Sequence, residues 1–505
     1  MKKSTLNLSE KASARPVEAY WDCNLSWLEW LLLITALALS LVLHLNPILD
    51  SGKGKFVLVL LAAISFLSPF TGFFFIGASS VLPFPDPGAE EILHTAGMTG
   101  DAEIGTSPAK IGMIVWFIVF LIRYRRISLT GIGRLWPVIP WFLWIALITG
   151  DPIYLPQSEF MKVIIYSIMA CQLANEARGK YLKCLLGLCL GALVVILAFW
   201  GVSAGLPIAI SNFGAARGGM ERIGSIRADA VMTWPAILMG LSGVIGVILT
   251  MASKASPVRA PRWLNLTGII LFIGSMPPLI STMTHGGYSG TGLLLVAFAL
   301  SVLFLYEKGM LSGSAFNTLL IGSVTILLTV AILFLADAFE IQTRAKTMIT
   351  SYKETAAEVG FAASRTAVWR DSINTIMQYP LLGAGGNHAI ETITSEYAKN
   401  GAYLSHNVFL DAGRVSGIPG MLLVALFFFF PLAQAFSSVN WPRFLPFILF
   451  HFVMLIFWMS LSFWGYKTCW AFWMLMSMAV GESKHRRPAV KSRRKPQSPA
   501  SASSS

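Results

Sequence analysis

The chain has 505 residues, 55% of them hydrophobic and 12% charged, with a net charge of +13 and a mean hydropathy of +0.66. That composition excludes a soluble protein. It also sets aside a nucleic-acid binder, because much of the positive charge sits in one tail. Lys484, Arg486, Arg487, Lys491, Arg493, Arg494 and Lys495 face Glu482 alone there, in a Ser/Pro-rich segment too polar to fold. The tail reads as a cytoplasmic anchor touching anionic membrane lipid, and the other basic clusters cap apolar runs.

In chain order, a polar segment over 1–26 without a signal-peptide pattern precedes the first apolar run. Stretches of about 20 apolar residues then recur, and none shows the alternation of a membrane barrel. The expected fold is all-α, a polytopic transmembrane helix bundle of about 12 spans. The division reads as transmembrane helices over 27–337, a periplasmic loop over 338–417, transmembrane helices over 418–480 and a disordered basic tail over 481–505. Arg123 to Arg126, Arg178 to Lys180, Lys254 to Arg262, Lys308, Arg443 and the tail are assigned to the inside by the positive-inside rule. The spans between them lie near 109–122, 134–149, 159–174, 183–203, 229–250, 264–281, 290–305, 317–337, 418–436, 444–462 and 467–480, leaving 150–158, 204–228, 282–289 and 338–417 outside.

The first spans are less regular. Asp86, Glu90, Glu91, Asp101 and Glu103 belong outside if Arg123 is inside. Single crossings at 27–45 and 56–82 would then put the amino terminus outside, whereas Lys2, Lys3 and Lys11 favour the inside. Either the terminus is outside or one of the two segments is not a simple crossing. Glu29, within the first apolar run, has no functional account in the sequence.

The long loop is the one sizeable polar element. Residues 352–378 carry apolar positions three or four apart, including Val359, Trp369, Ile373, Ile376 and Met377, which predicts an amphipathic helix. Pro380 ends it, and Leu381-Leu382-Gly383-Ala384-Gly385-Gly386 predicts a turn where Cβ atoms would obstruct the backbone. The loop closes with His406-Asn407-Val408-Phe409-Leu410 and Gly417-Ile418-Pro419-Gly420, just before an apolar run. Protonatable and hydrogen-bonding groups at headgroup depth suit chemistry on a lipid-borne polar group. The structural alternative is that His406 and Asn407 cap the next helix, that Arg365 is a snorkelling residue, and that Trp369 and Tyr288 are packing residues.

The ordered set Ser364-Arg365, Trp369, Tyr379 to Gly385, His406 to Leu410 and Gly417 to Gly420 resembles the O-antigen ligase family. That family includes O-antigen and exopolysaccharide polymerases and protein O-oligosaccharyltransferases. The resemblance implies a multi-pass protein of the bacterial inner membrane that moves a glycan from an undecaprenyl-pyrophosphate donor. The acceptor would be a hydroxyl of a lipid, glycan or protein on the periplasmic side. By motif, Arg365 and His406 correspond to the family's functional arginine and histidine. A second family arginine is replaced by His285, in Thr284-His285-Gly286-Gly287-Tyr288, and the glutamate two residues before Gly417 is replaced by Val415. Arg222 and Arg227, in another outside loop, are candidates to supply the missing charge, with Asn407 as a further substrate-binding residue.

No cofactor is expected. Histidines far apart and the absence of Asp-x-Asp from the outside loops point to a metal-independent reaction. The five cysteines read as apolar packers without a disulfide framework or CxxC pair. A competing class is a membrane transporter or lipid-linked glycan flippase. Ion-coupled transporters bury charge at mid-membrane and carry paired repeats, and the spans from 109 onward show neither.

Overall fold

The computed structural model describes residues 23–43, 52–79, 108–128, 131–136, most of 157–203, 285–307, most of 313–337, 365–385, 405, 407–438, 441–458 and 467–485, with short pieces near 139–144, 263–275 and 342–346. The described residues form helices and turns with no strand, as expected for an all-α protein. The helices are α1 (Trp27–Val42), α2 (Gly52–Ser65), α3 (Pro69–Ala78), α4 (Pro108–Arg123), α5 (Gln157–Glu176), α6 (Tyr181–Leu190) and α7 (Leu193–Ser203), followed by α8 (His285–Glu307), α9 (Gly313–Leu335), α10 (Arg365–Gln378), α11 (Val408–Phe436), α12 (Leu445–Trp458) and α13 (Lys467–His485). Among the described residues, α11 is the one helix long and apolar enough to cross a membrane by itself. The expected spans at 229–250 and over most of 134–149 and 264–281 lie outside the described residues.

Two apolar runs that hydropathy reads as single crossings are each broken. The 56–82 run divides into α2 and α3 at Phe66 to Ser68, where Pro69 supplies the first-turn proline of a new helix. The 183–203 run divides into α6 and α7 near Gly191. Among the described residues, α3 and α6 pack very closely in this region. A Cβ at Gly187 would stand 2.4 Å from the Phe70 carbonyl oxygen, and one at Gly191 would stand 2.5 Å from that of Phe74. Helices α3 and α6 therefore lie backbone against backbone, running in the same direction.

Glu29 finds its structural role here. With Ser26 it forms a reciprocal cap: the Glu29 amide donates to Ser26 Oγ at 3.2 Å and the Ser26 amide donates to Glu29 Oε2 at 2.8 Å. Lys183 Nζ of α6 lies 2.6 Å from Glu29 Oε2 and donates to the Asn24 carbonyl at 2.8 Å, while Ser68 Oγ donates to Glu29 Oε1 at 3.2 Å. One carboxylate thus ties the start of α1, the α2–α3 break and the start of α6 together. Capping explains why a charge stands at the head of an apolar helix.

These contacts gather the basic segments at one end of the bundle. Arg123 pairs with Glu176 at 3.8 Å, and Tyr124 donates to the same carboxylate. Tyr181 donates to Glu482 at 2.5 Å, and the Arg134 guanidinium lies against Gly481. Helix α13 continues past residue 480, where hydropathy ends the span, and the Glu482 bond holds that extra turn. The amino end of α1 lies at this same end, together with Arg123 and Glu482. The broken run at 56–82 is the reason: α2 and α3 reverse direction within what looks like one crossing.

Helix α11 spans from the opposite end. Phe430, near its carboxyl end, packs edge-on against Trp136 at 5.9 Å, close to Arg134. Asn407, the cap of α11, stands 23 positions before Phe430, at most about 35 Å away at a rise of about 1.5 Å per residue. Phe427 and Phe428 pack on Trp473 of α13 at 4.9 and 4.1 Å, anchoring α11 in the aromatic core.

Candidate functional site

Helix α11 begins at Val408, ten positions before the span read from hydropathy, because Asn407 caps it. Asn407 has extended backbone (φ −142°, ψ 112°), and its side-chain oxygen accepts from the amides of Phe409 at 3.0 Å and Leu410 at 3.3 Å. These are amides that a helix start leaves unpaired. The buried Ser405 sits just before it, with Ser405 Oγ donating to the Asn407 carbonyl at 3.0 Å. Asp411, in the first turn of α11, accepts from the Ser405 amide at 2.9 Å and pairs with Arg414 Nη1 at 3.5 Å. Trp369 of α10 donates through Nε1 to the Ser405 carbonyl at 2.8 Å. Ser405 and Asn407, the sequence neighbours of His406, are therefore held by α10 on one side and by the first turn of α11 on the other.

The glycine motifs interlock a little further along. Gly417 interrupts α11 with φ 71° and ψ −175°, a backbone conformation essentially restricted to glycine. Pro419 has no amide to donate, so the Val415 carbonyl loses its helical partner. The loop after α10 replaces what the break removes. Ala384 N–H donates to the Arg414 carbonyl at 2.7 Å, Gly385 N–H to that of Val415 at 3.2 Å, and Ile418 N–H reaches the Pro380 carbonyl at 2.8 Å. Trp144 Nε1 takes the Ser416 carbonyl at 2.9 Å. Gly383, at φ 73°, lies so close that a Cβ there would stand 2.4 Å from the Val415 carbonyl carbon. The expected turn after Pro380 is present, and its purpose is to seat against the broken helix.

The side of α10 facing α11 carries Val368, Ser372, Thr375 and Ile376, all buried. Ile376 packs where Gly413 leaves room, since a Cβ at Gly413 would come within 2.7 Å of Ile376 Cδ1. Arg365 is the first residue of α10, so its backbone stands one helical turn before Trp369. The motif segments at 365–369, 379–385 and 414–420 thus converge with Ser405 and Asn407 on one end of α11. The expected helix from 352 is described from Arg365 onward, and its earlier part lies outside the described residues.

The candidate residues divide accordingly. Asn407 is fully placed, as a helix cap. Arg365 and His285 are placed by backbone only, each at the first position of its helix, α10 and α8. His406, Arg222 and Arg227 lie outside the described residues. Sequence reasoning passed over Asp411, Arg414 and Trp144. Asp411 and Arg414 carry a legible signal: an acid in the first turn of a helix leading into an apolar run, with a base three positions on. Trp144 has none, because its partner is a backbone carbonyl far along the chain. Among the described residues, no group of three or more His, Cys, Asp or Glu side chains has the arrangement of a metal site.

No curated protein matches the chain. The family model described as O-antigen ligase matches residues 278–425, from just before α8 into the body of α11, and so takes in every interlocking motif described above. The match supports a membrane glycan-processing function of ligase or polymerase type acting on lipid-linked glycan. Across residues 278–425 the chain is similar to the O-antigen ligase family, in keeping with the resemblance carried by Arg365, His406 and the glycine motifs.

Proposed function

We propose that this chain is a metal-independent glycosyltransferase of the bacterial inner membrane. It moves a glycan from an undecaprenyl-pyrophosphate donor to an acceptor hydroxyl of a lipid, growing polysaccharide or protein on the periplasmic side. One observation carries the reading. Helix α10, which begins at Arg365, meets Ser405 and Asn407, the sequence neighbours of His406, at the amino end of α11, opposite the end where Arg123, Arg134 and Glu482 gather. The positive-inside rule makes the basic end cytoplasmic. The amino terminus of α1 is then cytoplasmic as well, and the 405–417 segment faces the periplasm at the mouth of a membrane-spanning helix.

The chemistry follows from that position. As the glycosidic bond breaks, negative charge gathers on the departing pyrophosphate, and a guanidinium gripping two oxygens stabilises it. Arg365 takes this role, aided by His285 and by Arg227 or Arg222. His406 either removes the acceptor's proton or supports the departing phosphate. Asn407, next to His406 in sequence, fixes the start of α11 as its cap. Attack opposite the pyrophosphate inverts the anomeric centre.

The test is transfer of radiolabelled glycan from lipid-linked donor by purified protein in detergent. His406→Ala and Arg365→Ala are each expected to lower the rate by at least ~10² while inserting at wild-type levels. Near-normal transfer by His406→Ala refutes the assignment. Activity lost in chelator and restored by a divalent ion refutes metal independence.

A further inference from the structure

Helix α10 is polar enough to lie in water, yet one strip of it is not. At roughly 100° per residue, Val368, Ser372, Thr375 and Ile376 form the buried side against α11, and Arg370 and Asn374 lie on the far side, exposed. Ile373 falls between these two sides, and Met377, one turn on, lies nearly in line with Arg370; both are open, Met377 by 71%. The turn beyond extends the strip with Leu381, 69% exposed, and Leu382.

This strip is continuous with the outer surface of α11. Ile418, Leu422, Leu426 and Phe429 are exposed and recur at four, four and three positions, the spacing of one helix side. On a helix long and apolar enough to cross a bilayer, that side faces lipid. The Ile418 amide bonds to the Pro380 carbonyl, and Leu381 backbone lies against Gly417, where a Cβ would come within 2.6 Å of its carbonyl carbon. The apolar surface of α11 therefore does not end at its kink; it turns the corner onto the 373–382 lip. A border of Arg370 and Asn374 is what an interfacial helix carries toward the headgroups.

We infer that the 373–382 lip is embedded in the outer leaflet of the bilayer, its occupant being lipid acyl chain. Through the interlock with α11 it holds Ser405 and Asn407 at headgroup depth. The inference rests on α11 crossing the bilayer and is independent of glycosyl transfer, so its test contains no glycan.

The five native cysteines are buried, so single cysteines introduced by Met377→Cys, Leu381→Cys, Leu382→Cys and Asn374→Cys can be labelled with an environment-sensitive nitrobenzoxadiazole probe. The full chain is then reconstituted in phosphatidylethanolamine/phosphatidylglycerol vesicles with and without acyl-chain-brominated lipid. Bromolipid is expected to quench the probes at 377, 381 and 382 at least twofold more than the probe at 374, with aqueous iodide showing the reverse order. Equal iodide quenching at all four positions overturns the inference. So does shielding of 377 and 381 from both quenchers in a protein that runs as a dimer, which would make the lip a contact between copies. Three lip positions keep the test decisive if one substitution prevents folding.

Discussion

Gly417→Ala is the most direct test of the interlock between α11 and the turn after α10. The native backbone, φ 71° and ψ −175°, costs a residue with a Cβ about 1–3 kcal/mol before any contact is considered. The new Cβ would also meet the Leu381 carbonyl carbon and oxygen at 2.6 Å and the Pro380 oxygen at 2.8 Å, all of them backbone atoms. Relieving that contact moves the turn away and stretches the Ile418 to Pro380 hydrogen bond, now 2.8 Å. Losing that bond adds about 0.5–1.5 kcal/mol. The combined expectation is about 1.5–4.5 kcal/mol, the sum of these two effects. It is read as a lowered thermal unfolding midpoint of the purified protein in detergent, with glycan transfer falling alongside it. Gly322→Ala is the control: it lies inside α9 with open space where the Cβ would stand, and alanine is the better helix former there. If Gly417→Ala unfolds at the wild-type midpoint and transfers normally, the kink does not depend on glycine and the interlock is not what fixes the site.

The Lys183–Glu29 pair, with side chains 7% and 15% exposed, predicts a strong asymmetry between single and double changes. Lys183→Met alone leaves a mostly buried carboxylate and is expected to cost about 3–5 kcal/mol, whereas Lys183→Met with Glu29→Gln recovers much of the loss; equal midpoints for the two proteins would contradict this. Asp411→Ala removes the acceptor of the buried Ser405 amide and one partner of Arg414, at about 1–3 kcal/mol for the unsatisfied amide. Asp411→Asn keeps an oxygen acceptor for the Ser405 amide, so it is expected to unfold at a higher midpoint than Asp411→Ala, and a matching midpoint would remove the hydrogen bond from the argument. Trp369→Phe keeps the ring but loses the Nε1 donor to Ser405. It is expected to slow transfer with a shift of only about 0.5–1.5 kcal/mol, and unchanged transfer would show that Ser405 does not need that hold.

The sequence alone was enough for the all-helical class, for the helix ending before Pro380 with its glycine turn, and for the family resemblance. Each rests on local chemistry: apolar runs that satisfy their own backbone bonds only as helices, a proline that cannot continue one, and short motifs within a few residues of each other. What the residues at 56–82 and 183–203 do was decided elsewhere. Hydropathy sees continuous apolar runs there; Pro69 marks the first break locally, but the close approach of α3 and α6, which brings Gly187 against Phe70, joins residues far apart in the chain. Glu29 looked anomalous for the same reason, since Lys183 and Ser68, the partners that join its cap to other helices, are distant in sequence. Likewise the motif glycines could be read as a turn, but not as a turn seated on the carbonyls that Gly417 and Pro419 release. Hydrogen bonds from Ala384, Gly385 and Trp144 exist only once α10, α11 and the segment around residue 144 have met. Periodicity along the chain carries no record of such a meeting, because backbone carbonyls are the same at every position and only the fold selects which are exposed to a partner.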